Sequence, residues 1–314
     1  MNLTRRQFVA ATAAVTGVAA TMPAWAAVPW SSGEQRPNLE FPVGSVDCHM
    51  HLFDDRIPAV PGAKLRPANA SLEDYRQLQR RMGLTRMVIV QPSTYGFDNQ
   101  VMMDGLISSE GAARGVSVIQ PTVSDAELQA MHTAGVRGIR VNLSFGGARI
   151  EDMERMSARV NELGWHVQFV SPGSFLPELE ARFRRLPSPL VIDHMGEISQ
   201  PGGITSEPFK VLERLLDTDH VWVKLSGAYI SSAVRAPGFA DVGKIAMALV
   251  AQRPDRLVWG SDWPHVTESG TKPDDAQLAD LLLAWAPSEA VRNQILRDNA
   301  CRLYDFTEET CAGT

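Results

Sequence analysis

A chain of 314 residues that is 44% hydrophobic and 21% charged carries enough apolar material for one large domain or two small ones, which excludes disorder and coiled coil. Its formal net charge of −6 leaves no basic field to neutralise nucleic-acid phosphates or dock on anionic lipid, so small metabolites remain as ligands. An anionic substrate would need a local arginine or lysine to hold it.

Residues 1–26 read as an export signal. Thr4-Arg5-Arg6-Gln7-Phe8 opens a basic segment, an Ala- and Thr-rich apolar stretch follows, and Ala24-Trp25-Ala26 fits a small-x-small cleavage site. This order predicts a twin-arginine signal, a mature domain over 27–314, the twin-arginine export machinery as a transit partner, and a periplasmic destination. The apolar stretch is short of the ~20 residues that span a bilayer, so no stable membrane anchor is expected. The three cysteines, Cys48, Cys301 and Cys311, make no disulfide framework. Cys48 belongs to an apolar strand; Cys301 and Cys311 either pair in an oxidising compartment or stay reduced, since export after cytoplasmic folding argues against dependence on a bridge.

From residue 27 onward, short β-branched runs alternate with longer amphipathic stretches. Strands are predicted at 45–53, 86–92, 116–121, 138–143, 165–170, 190–194, 221–226 and 257–261. Their near-continuous hydrophobicity, as in MVIV, VSVI, VQFV and LVWG, suits a parallel sheet buried on both faces. Ser71 to Asp74 and Ser124 to Glu127 read as capping boxes, while Gly83, Gly115, Gly135 and Gly164 fall where helices should end. Eight such units form a single (β/α)8 TIM-type barrel of the α/β class. The rival, a doubly wound open sheet, lacks its glycine-rich phosphate loop here. The proline-rich stretch 58–67 reads as a long first loop near the active-site mouth.

A barrel presents its chemistry at the carboxyl ends of its strands. There the chain carries Asp47-Cys48-His49-Met50-His51, then Asp193-His194-Met195-Gly196, then Ser261-Asp262-Trp263-Pro264-His265. Residues two apart on a strand share a side, so His49 and His51 converge. Four of the seven histidines sit at strand ends, too concentrated for ordinary structural imidazoles.

Taken in order, DCHMHLFD, VQPSTYGFDN, GVRGIRVN, VIDHMG and VWGSDWPH resemble the amidohydrolase superfamily, in the branch of sugar-lactone, muconolactone and pyrone-dicarboxylate lactone enzymes. The resemblance implies a distorted (β/α)8 barrel and a hydrolase that opens a lactone or related cyclic ester. Carried over by position, it makes Asp262 the general base. His49, His51 and His194 become the groups that polarise the carbonyl, directly or through a metal. His49, His51, His194 and Asp262 together offer three nitrogens and an oxygen, a sensible set for one Zn or Mn ion, so none or one divalent metal is expected. A two-metal centre lacks an obvious bridging residue.

Substrate contacts follow from strand ends and loops. Arg140 resembles the arginine that grips a substrate carboxylate. Tyr95 and Asn99 on the second loop, Gln168 on the fifth strand and Lys224 on the seventh are further expected contacts, with a loop-ordering role open for Tyr95 and Asn99. Glu197 stands where the pyrone-dicarboxylate enzymes carry an arginine, which points to a neutral or singly charged lactone. Alternatives on the same residues are lactone isomerisation by intramolecular acyl transfer and metal-dependent non-oxidative decarboxylation. From another class, a binding module that has lost its chemistry would not need the full set of histidines and aspartate.

Overall fold

The computed structural model describes residues 27–307, so the expected signal at 1–26 and Cys311 lie outside the described residues. Eight parallel strands form one sheet in the order β1 to β8: Val46–Met50, Arg86–Val90, Ala113–Ser117, Val136–Asn142, His166–Val170, Leu190–Ile192, Val221–Leu225 and Leu257–Trp259. The principal intervening helices are α1 (Leu72–Met82), α2 (Gln100–Ile107), α3 (Asp125–Ala134), α4 (Met153–Asn161), α5 (Leu176–Phe183) and α6 (Glu207–Leu216). They continue with α7 (Ala228–Ser231), α8 (Ala240–Gln252), α9 (Asp275–Trp285), α10 (Glu289–Asn293) and α11 (Asn299–Tyr304). This is the expected (β/α)8 barrel, nearly closed. Among the described residues no helix is long and apolar enough to cross a membrane.

Local signals set the element ends. Ser71 and Ser124 cap α1 and α3 with complete capping boxes to Asp74 and Glu127, and Gly83 and Gly135 take the left-handed conformation that stops those helices. Gly115 does not do this. It lies inside β3, which begins at Ala113, three residues before the predicted start, and the left-handed turn after α2 belongs to Gly111. A Cβ at Gly115 would lie 2.9 Å from Leu106 Cδ1 and 3.2 Å from Met102 Sδ, so this glycine lets α2 pack closely on β3.

Valines fill the barrel interior: Val46, Val88, Val90, Val116, Val191 and Val258 pack with Cys48 and with Ala300, Leu303 and Tyr304 of α11, which stops the amino-terminal end of the barrel. The proline-rich first loop is cinched at its base where Phe53 and Ala70 exchange backbone hydrogen bonds of 2.9 Å. It reaches the neighbouring loops through Val60 N–H to Thr94 O and Lys64 Nζ to Ser144 O.

Between β8 and β1 the closure is short. Asp262 N–H donates to His49 O and His51 N–H to Trp263 O, both at 2.8 Å. The buried Asp47 carboxylate adds four hydrogen bonds: it accepts from Ser261 N–H, the Ser261 hydroxyl, His49 N–H and the Tyr75 phenol of α1. Burial pushes its carboxyl up to about 6 against those bonds. Asp47→Ala strands these buried donors, at about 1–3 kcal/mol for each one left unpaired. Urea unfolding should therefore show a loss of about 3–5 kcal/mol, against less than about 1 kcal/mol for Arg214→Ala on the surface. Equal effects would mean that Asp47 does not hold the seam.

Candidate active site

The carboxyl ends of the strands surround a pocket enclosing about 480 Å³ of space open to solvent. His51, His194, Asp262, Arg140 and Glu197 supply its ionisable groups, and Phe53, Leu65, Phe145, Val170, Ile230 and Val266 much of its apolar wall. The register between β1 and β2 is irregular between Asp47 and Met50, where the strand changes from the Val46 and Cys48 core to histidines. Such irregularities re-aim side chains at barrel rims.

Each histidine is anchored by Nδ1, leaving Nε2 for the site. His51 Nδ1 meets Val90 O at 2.7 Å, His194 Nδ1 meets the Ser226 hydroxyl at 2.9 Å, and His49 Nδ1 lies between Lys224 Nζ at 3.2 Å and Asp193 Oδ1 at 3.3 Å. His49 Nε2 and His51 Nε2 stand 3.3 Å apart, and Asp262 Oδ1 is 3.5 Å from the first and 3.6 Å from the second. His49, His194 and Asp262 each bring a donor atom within 4.8 Å of the others. A tetrahedral cation with bonds of about 2.1 Å sets its donors about 3.4 Å apart, so His49, His51 and Asp262 have the right spacing for one divalent ion and His194 adjoins them. Fixing a ligand ring through its other nitrogen is what such a site requires.

Protonation suits the same use. Burial lowers the His49 imidazole well below its ordinary value and also lowers that of His51, which keeps both neutral, and the Val90 carbonyl on His51 Nδ1 leaves that ring's Nε2 lone pair facing the site. Burial alone would raise the Asp262 carboxyl, but His194, His51 and His49 beside it hold it well below the usual carboxylate range. An ionised carboxylate beside the neutral His49 and His51 imidazoles can accept a proton or a cation.

Beneath the pocket Asp193 is a second, enclosed carboxylate. It accepts from Gln168 Nε2 at 2.9 Å and faces Arg140 Nη2 at 3.4 Å and Lys224 Nζ at 3.5 Å. Burial opposes its charge, yet His49, Lys224 and Arg140 hold it well below the usual range. Lys224 Nζ donates to Cys48 O and Gln168 Oε1.

Arg140 lines the pocket, and its Nε, buried, has no hydrogen-bond partner among the described residues. Four other expected substrate contacts lie away from the pocket lining. Lys224 and Gln168 are fully buried below the histidines and do not line the pocket, because the Asp193 carboxylate draws both inward. The Tyr95 hydroxyl is spent on the first loop, donating to Asp54 O and accepting from Asp54 N–H. Asn99 is spent on Val118, to which its side chain donates and from which it accepts. His265, the last residue of the third histidine motif, is fully buried against Tyr229 and Asp275. His166 lies at the start of β5 beside Tyr304, toward the closed end of the barrel.

Sequence reasoning missed Tyr229, whose phenol donates to Asp262 Oδ2 at 2.6 Å. It also missed Asp47 and Asp193 as anchors, although both lie within motifs that had been singled out. Ser93, Thr94, Asn142 and Thr267 complete the polar wall; the first three lie within the VQPSTYGFDN and GVRGIRVN motifs, and nothing in the local sequence marks Thr267.

Known proteins resemble this chain over most of its length. The profile of the family described as Amidohydrolase matches residues 46–306. A 2-pyrone-4,6-dicarboxylate hydrolase of Comamonas testosteroni is 36% identical over 296 residues, covering 90% of this chain and 96% of its own. A D-galactarolactone isomerase of Agrobacterium fabrum is 32% identical, covering 86% and 94%. An apo crystal structure from Agrobacterium tumefaciens superposes with a TM-score of 0.82 at 30% identity, covering 88% of this chain and 99% of the other.

Gly227 tests how tightly this site is built. It follows β7 at φ +62°, and a Cβ there would stand 2.7 Å from His194 Nδ1. Gly227→Ala is expected to cost about 1–3 kcal/mol of stability and to displace His194. Thermal unfolding together with histidine NMR shifts checks both; an unmoved His194 resonance would show that the loop yields instead.

Proposed function

The chain belongs to the amidohydrolase family, and from that premise we propose that this hydrolase opens a lactone or related cyclic ester by adding water. One observation carries the proposal: Asp262, held ionised, keeps Oδ1 at the pocket floor within 3.6 Å of two imidazole Nε2 atoms whose rings are locked. Water lodged against Oδ1 gives its proton to the carboxylate as its oxygen bonds to the lactone carbonyl carbon. His194, whose Nε2 carries the ring proton when Nδ1 accepts from the Ser226 hydroxyl, donates to the carbonyl oxygen and stabilises the charge that develops on it. The ring C–O bond then breaks, and the departing alkoxide takes the proton back from Asp262, giving a hydroxy acid. A divalent cation held by His49, His51 and Asp262, with His194 adjoining, would supply Lewis-acid polarisation and a more acidic water.

The lining favours one negative charge on the substrate. Arg140 is the only lysine or arginine among the described lining residues, and its unpaired Nε suits a carboxylate. Glu197, half-buried in the same wall, opposes a second carboxylate, and burial raises its own carboxyl. A lactone of an aldonic or uronic acid fits this balance better than the pyrone dicarboxylate. The isomerase among the relatives keeps a second reading open, in which a substrate hydroxyl replaces water as the nucleophile.

Turnover of a lactone panel in ¹⁸O-labelled water is the direct test. Label in the acid product supports hydrolysis, and its absence from a rearranged lactone supports isomerisation. Asp262→Asn should lower kcat on the order of 10²–10⁴-fold with little loss of folding; retained activity removes Asp262 from the mechanism. Pyrone dicarboxylate turned over as well as any sugar lactone would overturn the substrate assignment.

We also propose export to the periplasm, on the strength of Arg5-Arg6 and the Ala24-Trp25-Ala26 site. Arg5→Lys with Arg6→Lys should leave the uncleaved protein in the cytoplasmic fraction. Unchanged fractionation would reject a twin-arginine route.

A further inference from the structure

We propose that Tyr229, backed by His265 and Asp275, is a positioning residue that fixes which oxygen of Asp262 faces the reaction. The inference rests on the role given to Asp262 above and adds three side chains that do not line the pocket.

The chain of contacts is continuous and buried. Tyr229 donates to Asp262 Oδ2 at 2.6 Å; His265 Nδ1 lies 3.0 Å from the same phenol oxygen; His265 Nε2 lies 3.1 Å from Asp275 Oδ2. His265 and Asp275 are wholly buried and Tyr229 is 3% exposed. Tyr229 does not line the pocket, although its neighbour Ile230 does. No substrate contact therefore accounts for this hydroxyl.

A phenol has one proton. Giving it to Asp262 leaves the tyrosine oxygen to accept from His265 Nδ1–H. His265 Nε2 faces the Asp275 carboxylate, which fixes the ring with Nδ1 toward the phenol oxygen. Asp275 opens α9, where a carboxylate also meets the positive end of the helix, and its backbone N–H donates to Ser31 Oγ. The Tyr229 and His265 rings stand edge to face at 5.4 Å, which limits rotation of either. A buried carboxylate with one oxygen tied this way presents the other in a single orientation, and here Oδ1 is the oxygen near His49 and His51. Supporting contacts of this kind are worth about 10–100-fold in activity or metal affinity.

The test uses the whole protein and Tyr229→Phe, which removes only the hydroxyl. The expected result is a kcat at least tenfold lower, with KM and Tm close to the parent. His265→Gln should lower kcat as well, and the double variant should be no worse than Tyr229→Phe alone, because His265 acts through the phenol. Additive losses, or a Tyr229→Phe kcat within twofold of the parent, overturn the proposal. Asp262→Asn measured alongside separates the two ideas: if it remains active the role of Asp262 fails, whereas an inactive Asp262→Asn with a fully active Tyr229→Phe defeats only the positioning role. A crystal structure of Tyr229→Phe gives a readout that needs no substrate. The Asp262 carboxylate should rotate so that Oδ1 leaves its place beside both Nε2 atoms, and an unmoved carboxylate would overturn the inference.

Discussion

Everything at the mouth of this barrel depends on the seam between its last and first strands. Asp262 donates its backbone N–H to His49 O, and His51 donates to Trp263 O, so the residues that close the barrel are also the residues of the site. The seam has few ladder bonds, and the Asp47 carboxylate makes up the difference by gathering Ser261, His49 and Tyr75. A side chain thus performs what backbone pairing performs between the other strands. Loosening it would separate the histidine pair from Asp262 before it unfolded the protein.

Below the seam, two buried carboxylates have opposite fates because of what surrounds them. Asp193 is ringed by Arg140, Lys224 and Gln168, so its charge is consumed inside the barrel, where it orients His49. Among the described residues Asp262 has no lysine or arginine against it, with imidazoles near one oxygen and a phenol on the other. A carboxylate that meets cations is structural, and one that meets neutral donors stays free to take a proton or an ion. The lysine on β7 therefore belongs to the scaffold and not to the substrate, even though its position near a strand end suggested otherwise.

Much of this was legible in the chain. The alternation of apolar runs revealed the barrel because strands buried on both faces must be apolar throughout, and Ser71 and Ser124 showed helix starts because a cap is a purely local bond. Histidines at strand ends were legible because period-two geometry places them without reference to the rest of the fold. What was not legible depends on partners far away in sequence. Tyr95 and Asn99 look like binding residues until Asp54 and Val118 claim them. Tyr229 sits in an unremarked AYIS segment, and only the fold brings its hydroxyl to Asp262, 33 residues on. The start of β3 was misjudged because Gly115 serves close packing, which a single sequence does not distinguish from a turn.

The backbone around these groups is itself held under constraint. His194, Met195 and Glu197 all have φ between +46° and +53°, and Asp262 and His265 have φ of +62° and +54°. For residues with a Cβ this region costs roughly 1–2 kcal/mol each, so it persists only where surrounding contacts over-determine it. Here those contacts are visible: Ser226 on His194, the seam bond and Tyr229 on Asp262, Asp275 on His265. The left-handed turns after β6 and β8 lift their side chains off the strand direction and aim them across the mouth, which extended backbone would not do. The histidines and the aspartate are therefore poised by bonds made outside the pocket. Substitutions that never touch a substrate, at Tyr229, Ser226 or Asp275, should then weaken catalysis more than they weaken folding.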